Sequence, residues 1–224
     1  MSDMLTLGTL VNLDELYHSD KFPDISPFRF LGKDLTGFIE ALLDELGVKD
    51  RPVIRGKAHP QAFLEGRVYV EEDAVIDPTA YIIGPAYIGR KAQVRHGAFI
   101  RGSVYAGPNS VVGHTTEVKG SIFFDGAKAG HFAYVGDSIL GRSVNLGAGT
   151  KLANLKLKKG EVRVIIPGHG SAYPTGLKKL GALVGDEAQT GCNSVLSPGT
   201  ILYPRTLVYP CAHYHGTLLE GVAR

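Results

Sequence analysis

The stretch Val70–Ile100, VEEDAVIDPTAYIIGPAYIGRKAQVRHGAFI, repeats itself every six residues. An aliphatic residue opens each unit, and a small or branched residue follows it four positions later. Neither a helix nor an alternating strand has a period of six, so we interpret the stretch as an internal structural repeat. The aliphatic series runs Val70, Ile76, Ile82, Ile88, Val94, Ile100, Ala106, Val112 and Val118, and it returns as Val184, Thr190, Leu196, Leu202 and Val208.

The repeat is interrupted twice. Its phase slips between Phe124 and Tyr134, and we expect His131 to leave the regular wall there. A second interruption, at about residues 156–180, is rich in Lys, Pro and Gly. We expect a two-stranded excursion there, with strands near Leu155–Lys158 and Glu161–Ile166, because inserted loops of this kind often build binding walls.

The first sixty residues have a different pattern. Lys33–Gly47, KDLTGFIEALLDELG, places apolar residues at three- and four-residue steps and ends on a glycine, which predicts one helix. The preceding KFPDISPF predicts a loop. Because repeat arrays need covered ends, we expect the helix to lie over the open end of the repeat. We therefore predict an N-terminal segment at 1–63 that caps the array, a repeat domain at 64–215, and a C-terminal tail at 216–224.

Composition limits the possible functions. A formal charge of +2 points to neither nucleic acid nor an acidic partner. Two cysteines are too few for a disulfide framework, and the sequence has no signal peptide and no apolar run of roughly 20 residues. We therefore expect a cytoplasmic protein that does not contact a membrane. The first sixty residues contain no Gly-rich phosphate loop, so we expect no uridylyltransferase activity.

Lys128–Asn154, KAGHFAYVGDSILGRSVNLGAGTKLAN, closely resembles a catalytic segment. It is similar to that of the acetyltransferase domain of bacterial bifunctional N-acetylglucosamine-1-phosphate uridylyltransferase/glucosamine-1-phosphate acetyltransferase. The resemblance extends over roughly residues 92–210 and includes related sugar-phosphate nucleotidylyltransferases. It implies an all-β fold, the left-handed parallel β-helix, in which three six-residue units close one triangular coil. It also implies a homotrimer with sites between subunits.

The same resemblance implies an acyl-CoA-dependent N-acyltransferase that acts on an amino sugar phosphate. Such a reaction requires a base for the amine, a donor for the oxyanion and groups that hold both substrates. By resemblance, His131 is the base, Asn154 orients the amine and intermediate, and the Ala148 amide faces the thioester oxygen. Histidine suits the base because its ordinary pKa lies near neutrality.

The resemblance assigns binding residues as well. Arg101 and Lys119, one coil apart, would hold the sugar phosphate, since fixed positive charge suits a phosphate. Tyr134 and Asn145 would contact the sugar. On the donor side, acetyl-CoA would lie near Ala148, Lys179 and Cys192. The donor half departs from the family at three positions, namely Leu155 for a tyrosine, Cys192 for a serine and Pro210 for an alanine.

Two other functions remain open. A non-catalytic β-helix that binds a nucleotide sugar, as a regulatory subunit, would keep the phosphate residues and lose the donor residues. A metal-dependent hydrolyase of the carbonic anhydrase type could use His96, His114 and His131, spaced 18 and 17 residues apart. The characteristic histidine spacing of that family is absent, so we predict no metal ligands. Cys192 and Cys211, on adjacent coils, are interpreted as core thiols.

Overall fold

The computed structural model describes residues 5–224, so the first four residues of the predicted N-terminal segment lie outside it. Most of the chain winds into a prism with three parallel sheets as its sides, in about ten coils. Chain neighbours belong to different sheets, and each strand pairs with the strand one coil away. The prediction of a left-handed parallel β-helix is confirmed.

The strands are short, as expected when each six-residue unit supplies one side and one corner. Sheet A contains Val53–Ile54, Val68–Val70, Ala86–Ile88, Val104–Ala106, Ile122–Phe123, Ile139–Leu140, Ala182–Val184, Thr200–Leu202 and Thr217–Leu218. Sheet B contains Lys57–Ala58, Val75–Ile76, Gln93–Val94, Val111–His114, Lys128–His131, Asn145–Leu146, Gln189–Thr190, Leu207–Val208 and Val222–Ala223. Sheet C contains Phe63–Glu65, Tyr81–Ile83, Phe99–Arg101, Glu117–Lys119, Tyr134–Gly136, Lys151–Leu152, Val195–Leu196 and His213–Tyr214.

The predicted aliphatic series forms the interior. Its members from Val70 to Val208 are all buried and lie in one continuous column, with the small residues four positions later filling the corners. Strands one coil apart pair 18 residues apart at first, as Val75 does with Gln93. The coils extend beyond the predicted 64–215, because strands begin at Val53 and end at Ala223. The predicted tail therefore continues the last coil.

The phase slips lie at other residues than predicted. Inward residues are five apart, instead of six, from Val118 to Phe123 and from Val135 to Leu140, so the coils there contain 17 residues. The lost residue falls at the corner between sheets C and A. Two buried serines compensate for it with backbone-like hydrogen bonds. The Ser121 hydroxyl accepts from Ser138 N–H at 3.0 Å, and the Ser138 hydroxyl accepts from Ala182 N–H at 3.0 Å.

The N-terminal segment contains more helix than predicted. Leu7–Leu10 is helical and Leu13–Glu15 is a 3₁₀ turn. One unbroken helix then covers Pro27–Arg29, a π turn at Phe30–Asp34, and Leu35–Glu45. It starts inside the predicted loop, since Pro27 is suited to a first helical position. Gly47 takes a left-handed φ of 72°, as its predicted C-terminal role requires.

This helix lies along the flank of the prism instead of over its end. Its buried residues, including Phe30, Leu35 and Ile39, pack on the outer face of sheet A. That face is apolar because Tyr87 and Tyr105 stack with ring centroids 5.0 Å apart. The remaining apolar residues of the face include Tyr69, Ile122, Phe124, Ile139, Leu183 and Ile201. The hexapeptide rule predicts inward residues alone, so it did not predict this outer apolar stripe.

The insertion also differs in detail from the prediction. Its two antiparallel strands are Arg163–Val164 and Tyr173–Pro174. Leu155–Lys158 has no regular strand, although Leu155 forms an isolated bridge with Lys179. The hairpin turns back onto the N-terminal helix, where Val162 and Val164 are buried with the helix residues. None of the helices in the described residues has the length and apolar composition needed to cross a membrane.

Candidate functional site

Two edges of sheet C carry most of the predicted site residues. One edge is the corner between sheets C and A, called the phosphate edge below, and it contains Arg101 and Lys119 in direct register. The Arg101 guanidinium pairs with Glu117 at 2.7 Å, and Lys119 Nζ pairs with Asp137 at 2.7 Å. The predicted stacking of the two cations is present, and each cation has a carboxylate partner.

Asp137 is the residue at this edge that sequence reasoning missed. Its Oδ1 accepts from Lys119 Nζ, and its Oδ2 accepts from the side-chain amide of Asn154. The Tyr134 hydroxyl lies 3.4 Å from the Asn154 Oδ1. The Asp137 side chain is 17% exposed and the backbone φ is 46°, so its position is fixed from both sides. Its place in a shortened corner was the available signal, because a slip re-aims side chains.

A depression of about 280 Å³ lies beside the phosphate edge. The N-terminal helix forms its other wall, and the Thr36 hydroxyl lies 2.7 Å from that of Ser103. Small residues keep the floor open. The depression is lined by Leu31, Leu35, Thr36, Arg101, Gly102, Ser103, Lys119, Gly120 and Asp137.

The opposite edge of sheet C, the corner between sheets B and C, contains His131 and Ala148 and is called the histidine edge. His131 is exposed, and Ala148 occupies the equivalent position one coil later. Gly149 N–H donates to the His131 carbonyl at 3.0 Å, which fixes the two coils together. Among residues 5–224 the Ala148 N–H has no acceptor. An exposed imidazole therefore lies beside an unused backbone donor.

Phe132 adds an apolar wall to the histidine edge. It is 53% exposed, and its ring lies over Gly149, where an added Cβ would come within 2.9 Å of ring atom Cε2. Gly149 itself has a φ of 73°. A side chain at position 149 would be strained and would displace the ring.

The three spaced histidines do share this corner. His131 is in register with His114, and the His96 and His114 rings stack 5.2 Å apart at 7°. His96 Nδ1 lies 2.7 Å from the Thr79 hydroxyl, and His114 Nδ1 lies 3.0 Å from the His96 carbonyl. These nitrogens are engaged within the chain. Within residues 5–224, no three His, Cys, Asp or Glu side chains are grouped as metal ligands would be.

The remaining predicted residues are dispersed. Asn145 lies on sheet B between Lys128 and Gln189, away from Tyr134. Cys192 continues the histidine edge one coil beyond Ala148, because Asn193 N–H donates to the Ala148 carbonyl. Cys192 and Cys211 are both exposed, so the interpretation as core thiols is wrong. Both lie at corners, where the side chains point outward.

A groove of about 590 Å³ lies between the insertion and the last coils. It begins next to Asn154, and the backbone bridge between Leu155 and Lys179 lies at its start. Leu155 and Leu157 expose apolar surface there, and several cations surround them. The groove is lined by Ala153, Leu155, Lys156, Leu157, Lys158, Arg163, Ser197, Pro198 and His215.

The two edges are well separated within one chain. His131 lies at the start of one side of the prism, and Asp137 and Asn154 lie at its far end. About five extended residues separate Phe132 from Asp137, which corresponds to about 16 Å. A single amino group cannot touch both edges of the same chain. A site that uses both requires a second copy.

Fold and site together define a hexapeptide-repeat β-helix protein with a polar face on sheet C. Residues 82–208 match the family described as GMPPB C-terminal domain, which is more than half of the chain. The chain belongs to this family.

Curated relatives match over parts of their length. The bifunctional sugar-1-phosphate nucleotidylyltransferase/acetyltransferase of Sulfurisphaera tokodaii is 40% identical over 88 residues, which are 39% of this chain and 21% of that protein. The bifunctional protein GlmU of Methanococcus maripaludis is 39% identical over 155 residues, which are 69% of this chain and 37% of that protein. This chain therefore spans a minor part of the relatives it matches.

The structure of Arabidopsis UDP-N-acetylglucosamine acyltransferase superimposes with a TM-score of 0.32 and 12% identity, over 73% of this chain and 66% of that one. At such a score the fold assignment rests on the strand register and not on the superposition.

Proposed function

We propose that the protein is an acyl-CoA-dependent N-acyltransferase that acetylates an amino sugar phosphate. The observation that carries the proposal is the register of His131 with Ala148, which sets a proton acceptor beside an unused backbone N–H. Two of the curated relatives are named as bifunctional proteins, one of them expressly an acetyltransferase, and the matched segments include this edge. These names support the reaction class.

The reaction follows from the positions of these groups. The sugar amine attacks the thioester carbonyl of acetyl-CoA while a His131 ring nitrogen takes a proton from the amine. The new C–N bond creates a tetrahedral oxyanion, which the Ala148 N–H stabilises. The C–S bond then breaks, and the imidazolium returns its proton to the leaving thiolate. Atoms and charge balance without a further reactant.

The phosphate edge supplies acceptor binding. Arg101 and Lys119 hold the phosphate of the acceptor, and the ligand phosphate competes with Glu117 and Asp137 for them. Asn154, held by Asp137, orients the amine. Tyr134 lies along the sugar. Because one chain keeps this edge about 16 Å from His131, we place the site between two copies of a homotrimer.

The groove beside the insertion fits the donor. Exposed leucines at 155 and 157 match the apolar and amide portions of a pantetheine arm, and Lys156, Lys158 and Arg163 match its phosphates. Lys179 stands at the entrance. Since Cys192 and Cys211 are free thiols, we place the reaction in a reducing, cytoplasmic environment.

The test is release of CoA thiol from acetyl-CoA in the presence of glucosamine 1-phosphate. Glucose 1-phosphate, which lacks the amine, is the matched control. We expect thiol release with the amino sugar alone, together with a product that gains an acetyl group by mass spectrometry. Saturable binding of the sugar phosphate without thiol release, for several amino sugar phosphates, would instead favour a non-catalytic binding subunit.

A further inference from the structure

A second cleft lies on the other side of the N-terminal helix. Residues two apart in a helix lie on nearly opposite faces, so Arg29 and Lys33 point away from the depression that Leu31 and Leu35 line. The inserted hairpin forms the opposing wall. Gly32 permits the contact, because a Cβ there would lie 2.4 Å from Leu177 Cδ2. The cleft measures about 460 Å³ and does not contain any residue of the site described above.

Ser26 is the clearest sign of a missing ligand. It precedes the helix that begins at Pro27, and its carbonyl accepts the first helical bond from Phe30 N–H at 3.0 Å. A serine at this position normally caps the helix with its hydroxyl. Here the hydroxyl makes no hydrogen bond with any residue of 5–224, although Ser26 is only 8% exposed and lines the cleft. A buried hydroxyl without a partner is costly, and a ligand in the cleft would satisfy it.

The charge beside Ser26 favours an anion. Lys33 has no carboxylate within 4 Å among the described residues, and Arg29 Nε bonds Asp34 at 2.9 Å. The unbroken helix up to Glu45 directs its positive end toward the same place. One opposing carboxylate lies near, that of Glu161, and it is engaged by Gly176 N–H. The balance at the mouth of the cleft is therefore positive.

The remaining wall is aromatic and apolar. Phe28 and Tyr173 stack with centroids 5.7 Å apart and planes 30° apart, and Leu177 lies beside them. An inorganic phosphate would fill only a small part of about 460 Å³. A flat ring attached to a phosphate would occupy the aromatic wall and the cationic mouth together.

We propose that this cleft, formed by Ser26, Arg29, Lys33 and Tyr173, binds a nucleoside phosphate, with the phosphate at Ser26 and Lys33 and the base against Tyr173. The site is separate from the acyltransfer site and does not depend on it. It joins the N-terminal helix to the inserted hairpin, so its occupant stabilises the contact between these two elements.

Titration calorimetry with uridine diphosphate tests the proposal, with inorganic phosphate and glucose 1-phosphate as separate arms. We expect saturable binding of the nucleotide, weaker binding of the other two, and a loss of about tenfold in affinity for both Lys33→Ala and Ser26→Ala. Tyr173→Leu, which keeps the apolar packing, should weaken the nucleotide and leave phosphate unchanged. Lys49→Ala removes an exposed lysine elsewhere and should have no effect.

Arg101→Ala separates the two sites. Nucleotide binding at this cleft should survive it unchanged. Three results would overturn the proposal: no saturable binding of any of the three probes, equal affinity of Lys33→Ala and wild type, or a loss confined to Arg101→Ala. The last result would assign the nucleotide to the phosphate edge. The readout is binding alone, so its failure and the failure of acyl transfer can be told apart.

Discussion

Asp137 has both carboxylate oxygens occupied, one by a lysine and one by an amide. It thereby couples the charge of Lys119 to the orientation of Asn154. The sequence could predict the types of residue needed for phosphate binding and proton transfer, since these follow from chemistry and a recognisable motif. It could not predict which carboxylate partners them, because that depends on a corner shortened by one residue.

Asp137→Asn tests this coupling. Replacing the carboxylate removes an acceptor from Asn154 and frees the charge of Lys119. We therefore expect kcat to fall about tenfold while KM for the amino sugar phosphate does not rise. Glu117→Gln is the matched control, because Glu117 pairs with Arg101 alone, and its kcat should stay near the wild-type value. A wild-type kcat in Asp137→Asn would contradict the role given to Asn154.

The elements differ in how much of them the sequence reveals. Inward residues of the coils were predictable because burial imposes the six-residue period on them. The outer stripe of sheet A was not predicted, although Tyr69, Tyr87 and Tyr105 stand one position before inward residues. The hexapeptide rule says nothing about the outside of the prism. The helix was therefore expected at the wrong place, over the end.

Two leucines in neighbouring segments measure the weight of the interior column. Leu152 is fully buried and Leu157 is fully exposed. Leu152→Ala leaves a cavity and should cost about 3 kcal/mol of unfolding free energy. Leu157→Ala removes a solvent-exposed side chain and should cost less than about 0.5 kcal/mol. Urea unfolding measures both, and equal losses would show that the column does not carry the fold.

The contact between the N-terminal segment and sheet A should depend on pH. His18 Nδ1 lies 2.9 Å from the Tyr105 hydroxyl, and burial lowers the pKa of His18. A lowered folded-state pKa favours the neutral ring, so stability is fully present above the unfolded pKa of about 6.5 and is lost as pH falls below it. Burial raises the pKa of Asp125 and of Asp186, which acts in the opposite direction at lower pH.

His18→Gln isolates the histidine contribution. We expect wild-type Tm to drop between about pH 7.5 and pH 5.5, and the drop to be smaller in His18→Gln. His215→Gln, at an exposed position, should follow the wild type. Parallel Tm curves for wild type and His18→Gln would refute the assignment of the pH dependence to this ring.

At the scale of the whole molecule, sheet A is covered by the chain itself, and sheets B and C remain open to partners. The sequence predicted the prism but could not give the distance between its edges. The structure places His131 and Asn154 at opposite ends of one side, about 16 Å apart by strand length. The account therefore requires a trimer in which neighbouring copies complete each other's sites.

Mixed trimers test that requirement. Neither His131→Ala nor Asn154→Ala should be active alone. When the two are co-expressed in equal amounts, about a quarter of the sites join an intact histidine to an intact asparagine, so about a quarter of wild-type activity should return. Light scattering should give about three times the 24.0 kDa chain mass for each preparation. A site contained in one chain would show no recovery.

The central claim is that His131 removes the amine proton, and the structure supplies its own control. His114 lies in register with His131 on the preceding coil and is exposed at the same corner. The decisive measurement is kcat for acetylation of glucosamine 1-phosphate in His131→Ala and in His114→Ala. The account predicts a loss of about 10²–10⁴-fold in His131→Ala with KM little changed, and near wild-type kcat in His114→Ala. An unchanged kcat in His131→Ala, or an equal loss in both, would contradict it.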